Sequence, residues 1–116
     1  MTTFNIVSLQ DTYSQSAQYF LYRGQSSILL KSEFLRLARL YAKRSEKIGK
    51  HFDNGCVSDQ KTYEALSNDL ERLFYTLNDL DSSNPLLTNI NRIAELMDHL
   101  AIEAFIRDKN EAESWH

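Results

Sequence analysis

The sequence predicts an all-α fold, an antiparallel four-helix bundle with helices at about 11–22, 27–52, 59–81 and 85–109 behind a short N-terminal arm. Three observations carry that prediction. Only three glycines and one proline occur in 116 residues, too few for a sheet protein with many tight turns. Apolar residues recur at three- and four-residue intervals through most of the chain, which places them on one helical face. The breaks in that pattern, Gly24, Asn54-Gly55 and Asp81-Ser82-Ser83-Asn84-Pro85, are short and made of helix-stopping residues.

The first ten residues hold Phe4, Ile6, Val7 and Leu9 without helical spacing and are read as an arm. Asp11 or Thr12 then suits an N-cap. Tyr13, Ala17, Phe20 and Leu21 form the stripe of a first helix that Gly24 is expected to end. Ser26 or Ser27 opens the second helix. Its Leu30, Phe34, Leu37, Tyr41, Ile48 and Phe52 fall within an arc of roughly 60° at 100° per residue. Asn54-Gly55 ends it.

Ser58 is the expected cap of the third helix, with Asp59 in the first turn where a carboxylate suits the helix dipole. Tyr63, Leu66, Leu70, Leu73, Leu77 and Leu80 then form an unbroken heptad seam. Asn84 as N-cap and Pro85 at the first helical position start the fourth helix. Its stripe is Leu86, Ile90, Ile93, Met97, Leu100 and Ala104. Ile102, Phe105 and Ile106 widen the apolar surface beyond one face, as in a helix central to a bundle or at a subunit contact. The two matching heptad seams also suit an intermolecular coiled coil, which makes a homodimer a possible state. Residues 110–116 are expected to fray.

The length fits one domain spanning 1–116. One cysteine, Cys56, excludes an intrachain disulfide and fits a reducing compartment. No basic n-region precedes Arg23 and no apolar run is long enough for a membrane span, so the cytoplasm is the expected location and no membrane partner is expected.

Net charge is −3, but it is unevenly placed. Residues 31–51 hold seven Lys/Arg against two Glu, whereas residues 58–116 hold five basic against twelve acidic groups. Arg36, Arg39, Lys43, Lys47 and Lys50 project within an arc of roughly 80°, about 150° away from the apolar stripe of the same helix. Cations at one-turn spacing suit an acidic protein surface, where complementarity raises the association rate. The same line suits nucleic-acid phosphates, although the chain as a whole is acidic. A merely solvated helix face explains such a run equally well.

The remaining polar features are weaker. Arg44 and His51 have a spacing that resembles the Arg–His pair of HEPN-type ribonucleases, which are also helical bundles. Ser45 follows the arginine where that family carries an amide or acid, and the pair sits at the end of the second helix, so ribonuclease activity stands as a distant alternative. Glu95, His99 and Glu103 share a face at i, i+4 spacing, but no second copy completes a di-iron pattern. No metal or other cofactor is expected. Neither His51, followed by Phe52-Asp53-Asn54, nor His99, followed by Leu100-Ala101-Ile102, carries the Lys-Gly that follows the exposed histidine of phosphotransfer bundles. Cys56 has no His and acid around it in sequence. Tyr19, Tyr22 and Tyr75 lie off the core stripes and suit interface anchors if exposed.

With no nucleophile–base pair and no glycine-rich phosphate loop, the expectation is a non-catalytic protein–protein interaction module: a small regulator, adaptor or inhibitor using charged helix faces, the basic stripe of the second helix and the acidic faces of the third and fourth. The alternative is a nucleic-acid-binding protein using Arg36, Arg39, Lys43, Lys47 and Lys50.

Overall fold

The computed structural model describes residues 6–26, 30–51 and 59–114, with side chains described for 9–26, 30–50 and 59–110. Four helices account for almost all of them: α1 (Ile6–Ser26), α2 (Lys31–His51), α3 (Gln60–Leu80) and α4 (Leu86–Ser114). The fold is all-α, with no strand among the described residues. The α1–α2 and α3–α4 pairs pack closely, consistent with a helical bundle. The chain divides into two compact units, a hairpin of α1 and α2 within residues 5–56 and a hairpin of α3 and α4 within residues 57–116.

In the first hairpin the core is aromatic. Tyr13 and Phe20 from α1 both stack on Tyr41 of α2, with ring centroids 5.9 and 5.8 Å apart. Offset aromatic pairs add to area burial through their quadrupoles. Leu9, Ala17, Phe34, Ala38 and Ile48 are buried with them. Two guanidinium groups close over this core, Arg23 above Phe34 and Arg44 above Tyr41, in cation–π geometry.

Small residues let the two helices approach. Gly24 lies inside α1, and a Cβ there would stand 3.2 Å from Phe34 Cβ and 3.4 Å from Leu35 Cδ2. At the other end a Cβ on Gly49 would meet the Gln10 side chain at 2.5 Å, and Ser45 Oγ donates to the Gln10 carbonyl at 3.0 Å. Buried Ser16 satisfies its hydroxyl within its own helix, donating to Thr12 O at 2.7 Å.

Several boundaries differ from the sequence reading. α1 begins five residues earlier than expected and passes through Gly24, which serves helix packing and not termination. Ser26 closes α1, its hydroxyl donating to the Tyr22 and Arg23 carbonyls, and α2 starts at Lys31. Leu21 and Leu30, expected in the core, are exposed, while Leu37 is half-buried. Of the expected ten-residue arm, residues 6–10 belong to α1 and residues 1–5 lie outside the described residues, as do the Ser27 start, Phe52 and the Asn54-Gly55 stop.

The second hairpin follows its heptads. Tyr63, Leu66, Leu70, Leu73 and Leu77 of α3 are buried, as are Ile90, Ile93, Met97, Leu100 and Ala104 of α4. Leu80 and Leu86, on either side of the turn that joins the two helices, are half-buried, and Leu87 takes the buried position at the start of α4. The N-cap of α3 is Asp59 and not the expected Ser58, and its carboxylate accepts the Thr62 N–H at 2.9 Å. That bond holds the Asp59 pKa below the ordinary carboxylate value. Asn84 Oδ1 accepts the Leu86 N–H at 2.9 Å, the capping role expected of it, with Pro85 just outside the helix. α4 continues to Ser114, past the expected end at about 109.

Candidate functional site

α2 is amphipathic because its apolar positions fall on one arc, and that arc faces α1. The opposite side is therefore left to the cations. Arg36, Arg39, Lys43, Lys47 and Lys50 are all exposed, as their angular positions predict. Two of them are engaged within the helix. Arg36 forms a two-pronged ion pair with Glu33 one turn before it. Lys50 pairs with Glu46 at 3.2 Å, one turn back. The Arg36 guanidinium lowers the Glu33 pKa through its hydrogen bond and charge, and the carboxylate raises that of Arg36.

Among the described residues, Arg39, Lys43 and Lys47 make no ion pair. They form the centre of the stripe. A hollow of about 290 Å³ lies along it, lined by Ser32, Arg36, Arg39, Leu40 and Lys43. Half-buried Leu40 gives this basic surface an apolar floor. The Arg36, Arg39 and Lys43 side chains that line the hollow are groups that bind anions.

The other residues singled out in the sequence do not assemble. Arg44 is half-buried and lies 5.8 Å from the centre of the Tyr41 ring, a packing position. The side chain of its proposed partner, His51, lies outside the described residues, as does Cys56. Glu95, His99 and Glu103 are exposed, and among the described residues no three His, Cys, Asp or Glu side chains gather to hold a metal ion. Tyr22 and Tyr75 are exposed, while Tyr19 is half-buried with its ring edge-on to Phe20.

Sequence reasoning missed a feature that belongs to two helices at once. On the second hairpin, α3 and α4 border two hollows that meet at Asp98. One, of about 500 Å³, is lined by Gln60, Glu64, Asp98, Ala101, Ile102 and Phe105. The other, of about 240 Å³, includes Ser67, Glu71, Phe74, Tyr75, Ala94 and Glu95. The available signal was a second heptad-spaced row on α3, Gln60, Glu64, Ser67, Glu71 and Phe74, beside the leucine seam.

No family model matches the chain, and no curated protein or solved structure shows significant similarity to it. No helix among the described residues is long and apolar enough to cross a membrane.

Proposed function

We propose that the protein is a non-catalytic interaction module that docks an acidic protein surface on the basic face of α2. The observation that carries this reading is the exposed trio Arg39, Lys43 and Lys47, which make no ion pair among the described residues and stand beside the Leu40 floor. Cations without internal counterions are the ones whose charge remains to steer and orient an anionic partner. Leu40 supplies the apolar contact that a purely electrostatic encounter lacks. The regulator, adaptor or inhibitor roles open to such a module all use this face.

The same row of cations supports a second reading, nucleic-acid binding, because its one-turn spacing tracks phosphates. The acidic balance of the whole chain favours the first.

Affinity capture from an extract of the source organism separates them, with wild type and Arg39→Glu/Lys43→Glu as baits, each with and without nuclease. A discrete protein that survives nuclease and is lost with the variant supports the docking face. Nucleic acid recovered by wild type alone, with affinity falling steeply as salt rises, installs the second reading. Equal recovery by both baits rejects the α2 face. The variant should fold like wild type, within about 0.5 kcal/mol, because both side chains are exposed and make no ion pair among the described residues.

A further inference from the structure

We infer that the α3–α4 hairpin carries a second docking groove, built to receive a basic amphipathic helix. The inference goes beyond the α2 reading and does not depend on it.

The two hollows follow one another along the seam of the two helices, with Asp98 lining both. From Asn91 to Phe105 the groove follows α4 for about 21 Å, the length of roughly four helical turns. Small side chains line both hollows, Ser67 of α3 and Ala94 of α4 in one and Ala101 of α4 in the other, and small residues at such positions admit a third helix close to the first two. Apolar anchors stand at both ends, Ile102 and Phe105 at one and Phe74 and Tyr75 at the other. Ile102, Phe105 and Tyr75 are more than half exposed, at 58%, 51% and 58%. Large apolar side chains clustered on a surface and rimmed by polar groups mark an interaction site.

The rim decides the charge of the occupant. Glu64, Glu71, Glu95 and Asp98 line the groove, and among the described residues no Lys, Arg or His lines either hollow. Asp98 is held in place, since Ser67 Oγ donates to its Oδ1 at 2.6 Å. Gln60 Nε2 likewise donates to Glu64 Oε1 at 2.8 Å. These carboxylates are oriented before a partner arrives, which reduces the ordering cost of binding. A helix with apolar residues at i, i+3, i+4 and i+7 and with Lys or Arg on its flanks matches floor and rim together.

The test uses the full chain and three labelled synthetic peptides of 16 residues, followed by fluorescence anisotropy. The first carries a leucine face flanked by lysines at helical spacing. The second replaces the lysines with glutamates, and the third scrambles the first so that no apolar face forms. The lysine peptide should bind at least tenfold more tightly than either control. Phe105→Ser and Glu64→Lys/Glu71→Lys should each weaken it at least tenfold with helicity unchanged, since all three side chains are exposed. Arg39→Glu/Lys43→Glu should change its affinity less than twofold, which separates this groove from the α2 face. Equal binding of the scrambled peptide, or no loss in the groove variants, overturns the inference. So does sedimentation showing that the groove is filled by a second copy, with self-association that Phe105→Ser abolishes.

Discussion

The two hairpins solve the same packing problem with different materials. α1 and α2 bury stacked rings and let their backbones approach through glycine and serine, with arginines laid over the aromatic faces. α3 and α4 bury a leucine-rich heptad seam with no glycine in either helix. The difference teaches where each hairpin is vulnerable. A ring stack loses several contacts with one side chain, and a glycine pressed against a fixed neighbour, as Gly24 is against Phe34 Cβ, has little room for a larger residue. A leucine ladder spreads its stability over equivalent rungs.

The largest expected effect tests the stack. Phe20→Ala should cost about 3–5 kcal/mol, because Phe20 is fully buried against Tyr41. Amide exchange should accelerate most in α1 and α2; equal acceleration in all four helices would erase the contrast between the hairpins. Next comes Leu73→Ala in the middle of the ladder, at about 2–5 kcal/mol by denaturant unfolding. An unchanged midpoint would remove the seam from the core.

The glycines sharpen the comparison further. Gly24→Val should destabilise by about 1–3 kcal/mol, since Phe34 Cβ is fixed to the α2 backbone and cannot move alone. Gly49→Ala should be neutral or stabilising by up to about 1 kcal/mol, because the obstacle is the swinging end of Gln10 and alanine favours the helix. Reversed signs in thermal melts would mean that the close approach lies at the other end of the hairpin.

The smallest effect concerns acid. Asp59 has its pKa lowered by the Thr62 N–H, so its contribution is present above the ordinary carboxylate pKa and is lost as pH falls through the depressed one. The first turn of α3 should therefore open in acid and not at neutral pH. Asp59→Asn, which retains a capping oxygen without the charge, should flatten that dependence when exchange at Thr62 is followed.

What the sequence made legible followed from how each hairpin is built. Leu66, Leu70, Leu73 and Leu77 announce α3 because every rung is apolar, and Ile90, Ile93 and Met97 do the same for α4. α1 was harder to read because its seam includes Thr12, Ser16 and Gly24, polar or helix-breaking types that are buried here. Ser16 is tolerated because it bonds its own backbone, and Gly24 because α2 presses on it. Leu21 misled for the converse reason, being apolar yet exposed.

The basic face was legible from angles alone, since the arc occupied by Phe34 and Tyr41 leaves the other side to lysine and arginine. Which of those cations carry uncompensated charge was not, because it depends on Glu33 and Glu46 reaching Arg36 and Lys50. The acidic groove needed two helices in register, as the Ser67–Asp98 bond shows, and no single stretch of sequence contains it.

The division of charge between the hairpins has a consequence for handling the molecule. Residues 5–56 carry eight basic against four acidic groups, and residues 57–116 five against twelve. Such a block polyampholyte has no single character for an ion-exchange resin to find. In low salt near neutral pH, a sulfonate bead meets the lysines of α2 and a quaternary-amine bead meets the carboxylates of α3 and α4. The protein should be retained by both, released from each by modest salt, and elute far from where its overall charge of −3 alone would place it.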